Sequence, residues 1–310
     1  MAVTLIAVVA ALVIGHMAQS LAASVRHYDW YGSWLSWLDL QFPEDGFWRG
    51  RWGVMLALLP PLLAIGLFQL ALHEPLYGLA GLVFAIMLLF YSWGPRDLDL
   101  DIEAIVNAPD AATRRQAMLV LWPDGAPGSI DGGALVSAVF QNALRRWFGV
   151  LFWFLLLGPV GALLYRLTVL SCEGGFAHRL SMDARTGART LLKLLDWPVA
   201  QLLTLALALV GNFDTVLGAW REAGGASFTL DHNFLDAAGR ASVRTELAEE
   251  AADYAEEASE LGEQAPLASA PTVATAAELP ELRDAMSLVW RSLLVWLAVL
   301  ALFVIAGYVA

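Results

Sequence analysis

The sequence predicts an all-α, polytopic membrane protein with about five to six membrane segments and amphipathic helices in its loops. Of its 310 residues, 58% are hydrophobic and only 15% are charged, whereas soluble domains are usually about 25% charged. The hydrophobic residues lie in long uncharged runs, as needed to cross a hydrocarbon core of roughly 30 Å. Thirteen tryptophans indicate the same class, because indole side chains collect at membrane interfaces.

Five apolar runs form a predicted membrane core over residues 1–211, and a sixth ends the chain. The runs cover residues 2–23, 53–72, 76–93, 147–167, 198–211 and 289–310. The first run could instead be a signal peptide, although no basic residue precedes Arg26. The fifth has only about a dozen apolar residues, so a re-entrant or interfacial helix is its alternative.

The fourth run lies in the most informative stretch, residues 141–166. Arg145 and Arg146 precede the uncharged part of this run, residues 147–164, and Tyr165 and Arg166 follow that part. These positions are typical of side chains that anchor a helix at the two membrane interfaces. The stretch is therefore predicted to cross the membrane with a polar anchor at each end.

Glycine and proline interrupt this fourth run near its far end. The interruption consists of Gly158, Pro159 and Gly161. It predicts either a kink in the helix or a close approach of another backbone, and the alternative is that these residues only serve helix packing. Ionisable residues are essentially absent from the runs, which does not favour a proton- or ion-coupled transporter.

The loops carry the predicted amphipathic elements. Residues 24–52 are polar and aromatic, and loop 94–146 predicts a helix over 111–122 and another that Asp131 caps. Residues 181–197 have a helical pattern. The segment 212–288 is polar, and its acidic part, 246–263, predicts a solvated arm followed by a flexible linker, which could hold a protein partner.

The distribution of basic residues predicts the orientation. With six segments, the loops 24–52, 94–146 and 212–288 lie on one side and hold twelve basic residues, against five on the other side. The positive-inside rule therefore places these large loops in the cytoplasm. Without the fifth segment, residues 212–288 would lie on the opposite side.

Two charged patterns are candidate binding sites for small ligands. Arg185, Arg189 and Lys193 lie four residues apart on one helix face and could bind a nucleotide or an anionic cell-wall fragment, or could extend to lipid headgroups. The acids of the run 97–103 could hold a divalent cation, but a solvated helix start is the favoured reading.

Other kinds of site have no support in the sequence. No catalytic or phosphate-binding signature occurs, so no catalytic residue is assigned. The histidines have no zinc-ligand spacing, so no metal site is expected and the cofactor stays undetermined. No cationic domain suits nucleic acid.

The chain resembles two families of bacterial membrane proteins. The sequences FWFLLLGPVGALLYRL, SWGPRDLDLDIEAI and LLDWPVAQLLTLALALVGNF, together with Gln141-Asn142, resemble AmpE, an inner-membrane protein linked to β-lactamase induction. More distantly, they resemble the CobD/CbiB membrane enzymes of cobalamin biosynthesis. The likeness covers most of residues 1–220 and the last segment.

Residue by residue, the CbiB-type resemblance implies a polar pocket. This chain keeps the residues that form the frame of that pocket in the CbiB-type enzymes but replaces their acidic residues. The frame residues are Gly158, Gly161, Tyr165 and Arg166, and Asn142 precedes them. Gln141 and Arg145 stand where those enzymes carry acids. The pocket prediction also includes Arg96 and Asp97 from the preceding loop and Arg185 and Arg189 from the cationic face.

These observations predict a non-catalytic, AmpE-like regulator of β-lactamase induction or cell-wall stress in the bacterial inner membrane. An anionic cell-wall fragment or a nucleotide would be its ligand. The first alternative is a CbiB-type, ATP-dependent amide ligase, with Asp97, Asp99 or Glu103 replacing the missing acids. The second alternative is a membrane scaffold that holds a partner through residues 246–263.

Overall fold

A computed structural model describes residues 2–17, 24–42, 46–72, 78–94, 97–123, 125, 130–227, 229–260 and 279–306. Arg96 and nearly all of the flexible linker predicted after residue 263 lie outside these residues. Throughout the described part the regular elements are helices, without strands. The protein is an all-α helical membrane protein, as the composition predicts.

The helices follow one another with short connections. In chain order they are α1 Ala2–Met17, α2 Asp29–Gln41, α3 Gly53–Ala71, α4 Gly78–Ser92, α5 Leu98–Val106, α6 Ala111–Met118, α7 Gly132–Ala143, α8 Gly149–Leu157, α9 Pro159–Cys172, α10 Gly174–Ala177, α11 Met182–Val210, α12 Phe213–Glu222, α13 Asn233–Glu260 and α14 Pro280–Ile305. A π-helical turn, Leu144–Phe148, joins α7 to α8. Single 3₁₀ turns cover Phe47–Arg49 and Leu119–Leu121.

Helix length and composition separate two groups of apolar helices. In the described residues, α3, α11 and α14 are long and apolar enough to cross a membrane. Shorter apolar helices cover Leu5–Gly15, Leu79–Ser92 and Pro159–Cys172. The membrane therefore accounts for exposed leucine side chains such as Leu63 and Leu67 on α3, which are 61% and 68% exposed.

The run 147–167 does not form one helix, because it breaks at Gly158. Gly158 has φ +69° and ψ −154°, a conformation available in practice only to glycine. Gln69 of α3 bridges the break: its amide donates to the Leu157 carbonyl at 3.4 Å and accepts from the Val160 N–H at 3.2 Å. Both sides of the break thus keep hydrogen-bond partners away from water.

The pattern at 181–197 and the apolar run 198–211 belong to the single helix α11. Pro198 lies inside α11, and proline removes one hydrogen bond without ending every helix. The 29 residues of α11 span about 43 Å at 1.5 Å per residue. The helix α11 is therefore long enough to cross a membrane.

The described chain forms two compact units. The first contains Met1–Asp97, Leu144–Val199 and Leu297–Ala310, and the second contains Leu98–Ala143 and Ala200–Trp296. In the first, α9 packs against α3, α4 and α8, and α1 packs against α4. In the second, α13 packs against α7 and α12, and α5 packs against α6.

In the second unit the acidic stretch predicted as a solvated arm is helical, and its residues 248–253 are exposed. Residues 246–260 continue the helix α13, since alanine and glutamate favour helix. Arg291 of α14 donates to Glu246 at 2.6 Å. The start of the acidic stretch therefore packs on a neighbouring helix, while residues 261–263 lie outside the described part.

Two predicted helix starts in the second unit are confirmed. Asp131 accepts the Ala134 N–H at 2.7 Å at the start of α7, and Asp110 accepts the Thr113 N–H at 2.8 Å at the start of α6. Because these N–H groups have no partner within the helix, each aspartate satisfies an unpaired donor. The helix predicted for 111–122 ends as the 3₁₀ turn Leu119–Leu121.

Candidate functional site

A buried charge cluster in the first unit is the candidate site. Arg145, on the π-helical turn, donates to Glu173 at 2.6 Å, and its Nε lies 3.8 Å from an oxygen of Asp196. The Tyr165 hydroxyl donates to the other Asp196 oxygen at 2.5 Å. Asp196 and Tyr165 are fully buried. Two carboxylates, a phenol and a guanidinium thus meet at a site whose inner part is buried, while the Arg145 and Glu173 side chains remain 30% and 19% exposed.

Three separate parts of the chain supply this cluster. The π-helical turn gives Arg145, α9 gives Tyr165, and Glu173 directly follows α9. Asp196 comes from the middle of α11. A π-helical turn is uncommon and occurs frequently at functional sites.

A glycine on α8 makes room for the phenol. A Cβ atom at Gly149 would lie only 2.1 Å from the Tyr165 ring, a distance that real atoms do not reach. Gly149 therefore allows Tyr165 to extend towards Asp196. Gly161 has a similar role at the start of α9, where an added Cβ would lie 2.0 Å from the Trp153 carbonyl oxygen.

A second polar group caps the C-terminal end of α4 in the same unit. Arg26 donates to the carbonyls of Phe90 and Gly94, each at 3.0 Å, and Arg166 donates to the Ser92 carbonyl at 2.8 Å. The last carbonyls of a helix lack partners and carry partial negative charge, which favours cations. The two buried arginines therefore fix the end of α4 and the start of the loop that follows it.

The electrostatics of this cap reflect burial. Tyr28 donates to the Tyr91 carbonyl at 2.6 Å, and burial raises the pKa of the Tyr28 phenol above its usual range. Burial lowers the pKa of Arg26, an effect that the nearby Asp97 partly offsets. Asp97, a predicted site residue, therefore lies in the environment of this cap.

Several buried polar atoms of these groups have no hydrogen-bond partner in the described structure. They include Nη2 of Arg166, Nε of Arg145, Oγ of Ser92 and Oδ2 of Asp196, although the last of these atoms faces the Arg145 guanidinium. Buried polar atoms are nearly always hydrogen-bonded, so an exception asks for an explanation. Arg166 Nη2 can donate its N–H groups to an anionic or carbonyl oxygen.

The structure brings together only some of the predicted site residues. Arg145 and Tyr165 meet in the charge cluster, and Arg166 and Asp97 belong to the cap of α4. Gly158 makes the break between α8 and α9. Arg185 donates through two nitrogens to the Ala177 carbonyl, at 3.0 and 2.6 Å, and so holds the end of α10.

Asn142 and Arg189 are placed differently from the pocket prediction. Asn142 belongs to the second unit, where its amide donates to the carbonyls of Leu121 and Ala138 at 2.9 and 2.8 Å. This amide serves local packing between α7 and the 3₁₀ turn before it. Arg189 is exposed on α11.

The anchor interpretation of the stretch 141–166 is wrong for its far end. Tyr165 and Arg166 are 0% and 1% exposed, whereas an interfacial anchor keeps its polar tip in water. Their partners Asp196 and Ser92 belong to other helices. Tertiary pairing thus draws both side chains inward.

Sequence reasoning missed Glu173, Asp196 and Arg26. A signal existed for Asp196, the one acid in the sequence LLKLLDWPVAQLL, since an acid next to an apolar run is a functional candidate by default. The statement that the runs lack ionisable residues is corrected by Arg166 and Asp196, both inside apolar helices. Arg26 gave no local signal, because its partners lie more than sixty residues away.

Fold and site together define a helical membrane protein with a buried cluster of opposite charges. Comparison with curated proteins finds the Cobalamin biosynthesis protein CobD of Stutzerimonas stutzeri, 28% identical over 256 residues, which are 79% of this chain and 78% of that protein. The protein of the same name from Chromobacterium violaceum is 26% identical over 207 residues, 64% of each chain. No family model matches, and no solved structure matches.

These relatives overturn the AmpE-like prediction. Both are named for cobalamin biosynthesis, which conflicts with a regulator of β-lactamase induction and supports the CobD/CbiB relationship instead. The frame from Gly158 to Arg166 was the basis of both resemblances, so that frame could not distinguish them. The missing acids at Gln141 and Arg145 led to the wrong choice, because Glu173 and Asp196 had been overlooked.

Proposed function

We propose that this protein takes part in cobalamin biosynthesis as a CobD-type membrane protein. The observation that carries the proposal is the similarity to two proteins of that name, one of them across 79% of this chain. The helical membrane fold agrees with it. The CbiB-type resemblance adds the reaction class, formation of an amide bond on a corrinoid with ATP.

The charge cluster is the place in the first unit best suited to this chemistry. Arg145 of the cluster can bind anionic oxygens of a phosphate or a carboxylate, and so can Arg166 in the cap of α4. Burial strengthens such contacts, because the effective dielectric constant is low. Asp196 and Tyr165 would orient Arg145, and the break at Gly158 would set the position of α9.

The carboxylates of the cluster do not form a ready-made magnesium site. Mg²⁺ prefers oxygen ligands in octahedral geometry, but Arg145 contacts both Glu173 and Asp196. In the described residues no group of three or more histidine, cysteine, aspartate or glutamate side chains is placed to hold a metal ion. The proposed role of the cluster is therefore to bind and orient anionic groups of the substrate, and this role does not depend on a metal.

A complementation experiment tests the proposed function. The full-length protein is expressed in a bacterial strain that lacks its own CobD and needs added cobalamin for growth under a cobalamin-dependent condition. We expect the protein to restore growth without cobalamin. Failure to restore growth, with the protein shown to be present in the membrane fraction, would contradict the proposal.

We further propose that the protein lies in the bacterial inner membrane with its large loops in the cytoplasm. Helical spans suit that membrane, and twelve basic residues lie in the loops 24–52, 94–146 and 212–288. Reporter fusions within 100–140, 174–181 and 225–245 test the orientation. The first and third should report cytoplasm and the second the opposite side.

A further inference from the structure

An aromatic groove in the first unit lies outside the charge cluster. It has a volume of about 410 Å³ and forms between α2 and α3. Its lining consists of Trp30, Ser33, Trp34, Trp37, Pro60 and Pro61. The rings of Trp34 and Trp37 stack, with centroids 5.1 Å apart and planes 13° from parallel.

The proline pair shapes one wall of the groove. Pro61 has no N–H, so the Ala57 carbonyl one turn earlier loses its normal partner in α3. The Trp34 indole donates to that carbonyl at 3.0 Å. This bond ties α2 to the interrupted turn of α3 and holds the groove in place.

Two of the four polar side-chain groups of the lining are engaged in hydrogen bonds. The Trp34 N–H bonds Ala57, and the Trp30 N–H donates to the Tyr91 hydroxyl at 2.6 Å. Proline offers no donor. The groove therefore presents hydrocarbon and aromatic surface, which suits an apolar occupant and gives a polar one little to bind.

The groove is continuous with the lipid-facing surface of α3. Leu59, Leu63, Leu67 and Leu70 are 50–68% exposed along this helix, which is long and apolar enough to cross a membrane. Trp30 and Trp37 on α2 are 42% and 51% exposed. Exposed tryptophans on an amphipathic helix are typical of the membrane interface.

From this continuity we propose that the groove binds one acyl chain of a membrane phospholipid. The chain enters from the surface of α3 and lies against the stacked tryptophans and the proline pair. The site is a lipid site of the first unit, independent of the proposed biosynthetic function.

Photocrosslinking in a defined bilayer tests the proposal. The full-length protein is reconstituted into vesicles of phosphatidylethanolamine and phosphatidylglycerol that contain a small fraction of phosphatidylcholine with a diazirine on one acyl chain. After irradiation, peptide mass spectrometry locates the adducts. We expect adducts on residues 30–37 and 60–61 to be several-fold more frequent than on Leu67 and Leu70, although these two leucines are more exposed, at 68% each.

Two variants of Ser33 sharpen the test. Ser33→Trp fills the groove and should reduce its adducts several-fold without changing those at Leu67 and Leu70, whereas Ser33→Ala keeps the space and should label like the wild type. Ser33→Leu, a smaller filling residue, replaces the tryptophan variant if that one does not fold. Even labelling along α3, or unchanged groove labelling in the filled variant, would overturn the proposal.

Discussion

At the residue scale, Asp196 holds the buried cluster together. Its two oxygens face Tyr165 and Arg145, and the aspartate itself has no exposed surface. A buried charge is tolerated only when it is paired and hydrogen-bonded. Asp196 is therefore a second acidic partner of Arg145, at 3.8 Å, beside the closer Glu173 at 2.6 Å.

Replacing Asp196 by asparagine tests this dependence. Asp196→Asn keeps the volume but removes the charge opposite Arg145, and breaking a buried pair typically costs about 3–5 kcal/mol. We expect a clear loss of stability in thermal unfolding of the detergent-solubilised protein. The matched control is Glu249→Gln, an exposed acid on α13, and an equal effect of both changes would contradict the cluster.

Gly158 allows a second prediction at this scale. Gly158→Ala forces a side chain into φ +69° and places its Cβ 2.9 Å from the Gln69 amide nitrogen, at a cost of about 1–3 kcal/mol for the backbone alone. Thermal unfolding should show a lower midpoint. Gly175→Ala, where an added Cβ meets no atom within 4 Å, should change the unfolding midpoint little. A larger decrease of the midpoint for Gly175→Ala than for Gly158→Ala would contradict the role assigned to Gly158.

The sequence could suggest polar residues at a pocket but not their partners. Arg145, Tyr165 and Arg166 were identifiable because they flank an apolar run. The pairing of Tyr165 with Asp196 joins residues 31 positions apart on different helices, and helix packing alone decides it. The burial of Arg166 likewise follows from the carbonyls at the end of α4.

At the element scale, side chains from neighbouring helices repair interrupted helices. Gln69 bridges the break at Gly158, Trp34 bonds the carbonyl that Pro61 leaves without a partner, and arginines satisfy the end of α4. In a membrane such groups have no water to bond, so they need partners within the protein. The glycine and proline positions were visible in the sequence, but their partners were not.

A double-mutant cycle tests the repair of α3. Trp34→Phe leaves the Ala57 carbonyl without a donor and should destabilise by about 1–3 kcal/mol. Pro61→Ala restores an N–H at the normal position, so we expect it to reduce the cost of Trp34→Phe. Thermal unfolding of the two single variants and the double variant measures this coupling.

The control for this cycle is the exposed indole on the same helix. Trp37→Phe should have a smaller effect than Trp34→Phe, because Trp37 is 51% exposed. If the changes in unfolding stability caused by Trp34→Phe and Pro61→Ala simply add, the hydrogen bond from Trp34 to the Ala57 carbonyl does not compensate for the missing N–H of Pro61.

At the scale of the whole molecule, composition was sufficient for the fold class, since low charge and long apolar runs leave few alternatives to membrane helices. Composition did not determine where the helices begin and end. The helical pattern at 181–197 and the apolar run 198–211 belong to one helix, whereas the run 147–167 forms two helices. The acidic residues 246–260 form a helix whose start packs on α14, because Arg291 lies beside Glu246. Local polarity alone could not reveal that contact.

The proposal with the widest consequences is that this CobD-like membrane protein acts in cobalamin biosynthesis through its charge cluster. The most direct measurement follows corrinoid amidation by mass spectrometry, with the purified protein in lipid nanodiscs, a corrinoid carboxylate, a primary amine and ATP with magnesium. We predict an ATP-dependent amide product with the wild type and with Glu249→Gln, and at least a tenfold loss with Asp196→Asn at a temperature where all three are folded. No product from the folded wild type, or equal product from Asp196→Asn, would contradict it.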